Sequence, residues 1–488
     1  MSHATESNPR PHLRATLLLG CLAQFMVILD VSVVNVALPA IRHGLHFSEV
    51  NLQWVVNAYT VTFAGFLLLG GRAADLLGRR RVFVSGLALF SVASLAGGFA
   101  NSQGLLIAAR AAQGLGGAVI APASLSILTT TFAEGPARNR AVGIWGAMGG
   151  AGGAAGVLLG GVLTDLLGWR WILFINVPIG LLAAVFAQRL IAEGRNPNRA
   201  RNYDLPGALA ATLGLSLLVL GIVRTDQTGW GSSATLAVIA SGLVLLSVFL
   251  VIEGRFASAP LMPLRIYASR TLSAANVVVL LIGGATFGMW FFVSLYLQQV
   301  LGYSPIRAGL TFLPMSLCIV VMSTAASRAV GRIGTKRLLL AGMVSLTLGL
   351  LLFAQVSVHG TYLGGVLAPS LLVAIGIGLS FVPATIAAVA GVAPAEAGLA
   401  SGLVNTSRLF GGALGLAILA AIATAQTNQD VGRAGVGAHA ALTSGFQLAF
   451  MVAAGFTLVA GLVAVVGLPR RIVSPQAVDV GAPVPVEA

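Results

Sequence analysis

Charge is scarce in this chain, and acids are scarcer than bases. Only 9% of the 488 residues are Asp, Glu, Lys or Arg, 57% are apolar, and the mean hydropathy is +0.93. Soluble domains carry roughly 25% charged residues, so a water-soluble globular protein is excluded. The six histidines are scattered at positions 3, 12, 43, 46, 359 and 439. They leave no metal-ligand spacing and no acid, base and histidine cluster of the kind a membrane enzyme needs. The two cysteines, Cys21 and Cys318, both lie in apolar runs, so they read as packing residues and not as a disulfide. No polar stretch is long enough for a soluble signalling domain, and no nucleophile triad or phosphate-binding loop is present. The net charge of +14 lacks the basic face and interleaved aromatics of a nucleic-acid binder, so no nucleic-acid partner is expected.

What is present is a near-continuous series of apolar runs of about twenty residues, the length of a membrane helix. Fourteen spans are predicted, at 15–39, 51–70, 82–100, 104–129, 140–163, 171–191, 206–224, 233–252, 272–298, 307–328, 337–356, 361–390, 399–424 and 446–468. The first is too long for a signal-peptide core and contains Asp30. With loops assigned alternately to the two sides, twenty-one of the 28 basic residues fall on the side of the N-terminus and five on the other, while Arg110 and Arg408 lie within spans. This bias predicts that both termini are cytoplasmic. Trp169 and Trp171 read as an interfacial belt on the opposite side.

The fold class read from this pattern is an all-α integral membrane protein. Two six-helix bundles, 15–193 and 271–470, flank a helix pair with its following loop at 206–270. A cytoplasmic tail at 1–14, a basic linker at 194–205 rich in Arg, Asn and Pro, and a disordered tail at 471–488 complete the division. A weak repeat supports the two halves. Gly70–Arg81, GGRAADLLGRRR, is echoed by Ser327–Arg337, SRAVGRIGTKR, which keeps a glycine at Gly334 but has Gly331 where Asp75 would stand. Such repeats place a substrate site near the bilayer midplane between the halves.

Asp30 is the one acid deep in an apolar span, and a charge at that depth is costly enough to suggest an ion or proton path, or else a locked helix contact. Arg110 is the deep cation of the first half. It shares a helical face with Gln113, Gly114 and Gly117, and either pairs inward with Asp30 or snorkels to the headgroups. Asp75 stands four residues before Arg79, a spacing that puts both on one face of a continuous helix, and Gly71 and Gly78 permit close backbone approach beside Arg79 and Arg80. Gly152, Gly156, Gly160 and Gly161 crowd the fifth span, where each glycine costs about 1 kcal/mol of helix propensity, so close helix packing must offset them. Candidates for a polar cavity lining are Gln24, Asn35, Asn57, Tyr59, Gln113, Asn276, Trp290, Tyr296, Gln298, Asn405 and Arg408, each of which can also be a packing residue.

At these residues the chain resembles the major facilitator superfamily, and within it the bacterial fourteen-span drug:proton antiporter branch, over almost its whole length. Gly71–Arg81 resembles the family's cytoplasmic gating motif, LDVSVVNVALP (Leu29–Pro39) its first-span motif, and RAAQGLGGA (Arg110–Ala118) its fourth-span motif. Ser294–Leu310 and Ser401–Gly415 are also similar to that branch. The family's span-five pattern Gly-Pro-x-x-Gly-Gly departs here at Val157, which keeps an uptake symporter or facilitator open as the rival. The resemblance implies a proton-driven multidrug exporter of the bacterial cytoplasmic membrane. It would be a monomer without cofactor or metal, with Asp30 and Arg110 coupling protons and Asp75 latching the halves against Arg79 and the start of the thirteenth span near Gly398. The tenth span has no acid of the kind that serves divalent cations, so mono-cationic or neutral amphipathic substrates are expected.

Overall fold

The computed structural model describes residues 13–132, 136–193, 204–229, 231–257, 260–390, 392, 396–431, 433 and 437–469. Most of the three predicted tail and linker segments, 1–14, 194–205 and 471–488, lies outside the described residues. The described chain is helical without strands, and fourteen of its helices are long and apolar enough to cross a membrane. In chain order these are α1 (Leu13–Leu45), α2 (Glu49–Ala74), α3 (Arg79–Gly98), α4 (Gln103–Thr131), α5 (Arg140–Leu166), α6 (Trp171–Leu190), α7 (Leu205–Thr225), α8 (Ser233–Phe256), α9 (Arg270–Val300), α10 (Pro305–Ile333), α11 (Thr335–Phe353), α12 (Tyr362–Val389), α13 (Leu399–Val431) and α14 (Ala438–Gly467).

Short polar caps start several of them. Ser102, Ser269 and Ser304 accept the amide protons of Leu105, Leu272 and Arg307, while Asp204 accepts that of Gly207. Each satisfies an amide that the helix itself leaves free, which matters most where no water can do so.

The repeat seen in sequence is a repeat in packing. In the first half α1 lies on α5, α2 on α4, and α3 on α4 and α6; in the second, α9 lies on α13, α10 on α12, and α11 on α12 and α14. The two matching motifs also turn alike, since Gly78 (φ 110°) and Gly334 (φ 93°) each adopt a backbone that favours glycine between the second and third helices of their halves. α7 and α8 are central in sequence but peripheral in space. They pack on each other, and α7 leans on α2 and α13, where Leu215, Val219 and Val223 meet Val61, Ala413 and Ala417.

The halves touch along two seams, α2 with α13 and α5 with α10. An even number of spans puts both described ends of the chain on one side, here called the terminal end. The far end is sealed: Ser294 Oγ donates to the Asn35 carbonyl (2.6 Å) and Gln298 Nε2 to that of Val36 (2.8 Å). Beside them a Cβ on Gly161 would lie 2.6 Å from the Pro305 carbonyl. Toward the terminal end the same face of α5 continues through Gly146 and Gly143, which are exposed and have no neighbouring atom within 4 Å of an added Cβ. The α5–α10 seam therefore opens on that side.

Candidate functional site

The sealed far end and the open seam enclose a cavity of about 320 Å³ between the halves. Its polar lining is Ser32 and Asn35 of α1, Tyr59 and Thr60 of α2, Trp290 of α9, Ser316 of α10 and Arg408 of α13. The remaining wall is apolar or glycine, including Phe63, Phe287 and Val157. Among the described residues no carboxylate lines it, so the cationic arm of the sequence expectation finds no counter-charge there. Of the eleven predicted lining residues, Asn35, Tyr59, Trp290 and Arg408 are in place.

The other seven do not line it, each for a visible reason. Gln113 turns into the first half, where it bonds Asp30. Asn57 is buried and donates to Gln53, and Asn276 donates to the Leu272 carbonyl while accepting from Ser407. The Tyr296 hydroxyl donates to the Ser357 carbonyl, and Gln298 belongs to the far-end seal. Asn405 is exposed and accepts from Arg408 Nη2 at 3.4 Å. Gln24 lies one turn nearer the terminal end, facing Gly149 of α5.

Behind the α1 and α2 wall lies a buried ionic network. Arg110 Nη1 reaches Asp30 Oδ2 at 2.6 Å, and the two side chains are only 2% and 0% exposed, so snorkelling is excluded. Asp30 Oδ1 also accepts from Gln113 Nε2 (3.0 Å) and Asn176 Nδ2 (2.8 Å). Arg110 donates besides to the Val55 carbonyl and to Gln113 Oε1, and Gln113 donates to Ser94 Oγ. Sequence reasoning missed Asn176 and Ser94; an Asn-Val-Pro run at Asn176–Pro178 within α6 was the one signal for Asn176, and Ser94 on α3 had none. A buried ion pair is tolerated when such hydrogen bonds satisfy the remaining lone pairs and protons. Tyr59 joins network to cavity: it lines the cavity while its ring lies 4.6 Å from the Arg110 guanidinium carbon, within cation–π range, and its hydroxyl has no partner.

At the terminal end the helix of Asp75 stops at Leu77, and Gly78 turns the chain before Arg79 opens α3. The predicted i, i+4 face is thus corrected: a glycine at positive φ breaks the helix between the two residues. The Asp75 side chain, on which the predicted latch to Arg79 and the helix start near Gly398 depends, lies outside what the structure describes. What holds the loop in view is Glu193, just past α6, which sequence reasoning missed. Its Oε1 accepts the Arg80 amide at 3.2 Å, and Oε2 lies 3.6 and 3.7 Å from Nε of Arg80 and Arg81. Arg80 Nη1 also donates to the carbonyls of Gln188 and Ile191, and Gly71 sets α2 against Pro122. Replacing Glu193 by Gln should cost about 1 kcal/mol locally. Faster hydrogen exchange at the amides of Gly78–Val82 is the expected result, and unchanged exchange would remove Glu193 from this role.

The fifth-helix glycines pack as their spacing suggests. Added Cβ atoms on Gly152 and Gly160 would lie 2.8 Å from the carbonyls of Phe25 and Val33, and one on Gly156 would lie 2.6 Å from Ser32 Cβ. These three bring α5 against α1 within one half, whereas Gly161 meets α10 across the seam. Trp169 is buried, and only Trp171 is exposed enough to serve the predicted belt.

Two pseudo-repeated six-helix halves, a cavity between them closed at one end, and a buried ion pair behind its wall define a membrane transporter of the alternating-access kind. Comparison with known proteins agrees. Residues 20–416 match the Major Facilitator Superfamily, and the chain belongs to that family. It is 45% identical to the cephamycin export protein CmcT of Amycolatopsis lactamdurans over 91% of this chain and 90% of that one. It is 38% identical to the puromycin resistance protein pur8 of Streptomyces alboniger over 95% and 93%. Among solved structures, an auto-inhibited peptide transporter of the POT family superposes with a TM-score of 0.67 at 16% identity, over 95% of this chain and 98% of that one, which speaks for the fold alone.

Proposed function

We propose that this protein exports amphipathic small molecules of the drug or antibiotic class across the bacterial cytoplasmic membrane in exchange for protons. Export is supported by the relatives, whose names describe export of or resistance to such compounds. Proton coupling rests on one observation above all: a carboxylate and a guanidinium buried together behind the wall of the cavity. Ionisable groups at membrane depth are retained where their charge state is used.

A proton arriving on Asp30 removes the charge that Arg110 meets and turns an acceptor into a donor, so the network of Gln113, Asn176 and Arg110 must rearrange. Tyr59, lying between Arg110 and the cavity, passes that rearrangement to a bound substrate. The excess of arginine on the terminal side puts both termini and the open seam in the cytoplasm, so the structure is read as inward-facing. Loading then occurs from inside, the halves rock, and the far-end seal opens to release. On this reading the protein is a monomer without metal or other cofactor, catalyses no covalent chemistry, and draws its energy from the proton gradient.

Everted vesicles carrying the protein, energised to an acidic interior, provide the test. Addition of amphipathic dyes should collapse the gradient and draw dye inward. Dye movement without proton movement would exclude exchange, and proton exit accompanied by dye leaving the vesicles would establish symport instead.

A further inference from the structure

Among the described residues, one charged group at the cavity has no counter-charge. Arg110 and Asp30 neutralise each other behind the α1 and α2 wall. Arg408 stands on the opposing half with no carboxylate within ion-pair distance among the described residues. Its Nη2 reaches only a neutral amide, Asn405 Oδ1 at 3.4 Å, and its buried Nε has no hydrogen-bond partner. The guanidinium carbon lies 5.4 Å from the Phe381 ring, and Phe287 and Trp290 stand beside Arg408 in the cavity wall. Arg408 is nine residues into α13, about 14 Å along a helix rising 1.5 Å per residue, which is half of a hydrocarbon core about 30 Å thick. At that depth a cation without a counter-charge is expensive, and relief must come from what enters the cavity.

We propose that the cavity selects amphipathic monoanions, specifically an aromatic or alicyclic body bearing one carboxylate, and that Arg408 is the residue that binds the carboxylate. Three properties converge on this ligand. The guanidinium is held by a single long hydrogen bond to a neutral amide, so its Nη donors can turn to a ligand, and arginine pairs with carboxylates through parallel hydrogen bonds. The wall around it is aromatic and aliphatic, so the rest of the ligand is apolar. The volume, about 320 Å³, is that of a drug-sized site and leaves no room for a large polyanion. A cationic drug would instead face an unneutralised guanidinium in a low-dielectric cavity, where like charges repel strongly. This assignment rests on the cavity being the substrate site, and it departs from the mono-cationic or neutral substrate expected from sequence.

The test is binding of three matched probes to the purified full-length protein by equilibrium dialysis: 1-naphthylacetate, its methyl ester, and (1-naphthylmethyl)trimethylammonium. The wild type should bind the carboxylate about tenfold more tightly than the ester, the gain of charge-assisted hydrogen bonds, and the ammonium more weakly than either. Arg408→Gln should bring carboxylate and ester to within about twofold, and Arg408→Lys should retain part of the preference. Equal binding of carboxylate and ammonium by the wild type would overturn the proposal, as would a carboxylate preference that survives Arg408→Gln. The wild-type comparison alone decides the matter if the variants do not fold. The same probes in everted vesicles separate this idea from the transport reading. Carboxylate binding without proton-linked uptake rejects exchange and keeps the anion site, and proton-linked uptake with no carboxylate preference does the reverse.

Discussion

Replacing Asp30 by Asn should reduce proton-linked transport to the level of vesicles without protein. The substitution keeps the size of the side chain and its ability to accept from Gln113 or Asn176, but removes the only carboxylate that meets Arg110 among the described residues. Two consequences follow from one change. The site can no longer exchange a proton, and Arg110 becomes a buried cation without a counter-charge, which costs about 3–5 kcal/mol when one partner of a buried pair is removed. Lower thermal stability of the single variant is therefore expected. The double variant Asp30→Asn/Arg110→Gln leaves a neutral network and should recover most of that stability while remaining uncoupled. This contrast separates coupling from folding. A single variant that still moves substrate in response to an imposed pH gradient would remove Asp30 from the coupling site.

Charge was the part of this site that sequence could reveal, because an acid or a base inside an apolar run has few reasons to be there. Asp30 and Arg110 stand out for that reason, 80 residues apart, and they meet at 2.6 Å. The neutral members of the network do not stand out. Gln113 was placed on the correct face of α4, but a helix in a two-half bundle has one side toward its own half and another toward the cavity, and polarity alone does not say which. The same ambiguity misplaced Asn57, Asn276 and Tyr296, which donate to backbone carbonyls or neighbouring side chains within their own halves. Gln298 failed differently. It contacts the other half as expected, but at the seal and not in the cavity.

The number and order of the helices were legible because membrane depth forces long apolar runs and arginine marks the loops. Backbone detail was less so. Gly78 was read as a residue permitting close backbone approach, yet its φ of 110° ends the helix that the Asp75–Arg79 spacing assumed. Glu193 escaped notice because an acid at the edge of a polar segment is unremarkable until the fold brings α3 and α6 together. The lack of acid in the cavity was visible as a lack of acid in the spans, but only the fold shows that, among the described residues, Arg408 is the charged group lining that space.

Glycines of the fifth helix make the rocking of the halves testable, because neighbouring positions face different surroundings. At Gly161 an added Cβ would sit 2.6 Å from the Pro305 carbonyl and 2.8 Å from Ile306 Cα, both on the other half. Since both contacts are backbone, neither can swing aside, and the seam itself has to part. Gly161→Ala should therefore raise the energy of the far-end-sealed state while leaving the opposite state, in which this seam is open, untouched. Overpacking of about 1–3 kcal/mol shifts such an equilibrium by roughly 5- to 150-fold. Gly156→Ala crowds Ser32 and Leu29 within one half, so it should lower thermal stability without changing the balance of states. Gly143→Ala meets no atom within 4 Å and should be neutral or slightly stabilising through helix propensity. Spin labels at Leu167 and His359, with Cys21 and Cys318 replaced by Ser, report the far-end separation. A longer distance confined to the Gly161 variant is the expected pattern. If Gly156→Ala lengthens it equally, or Gly161→Ala leaves it unchanged, the seal does not lie where α5 meets α10.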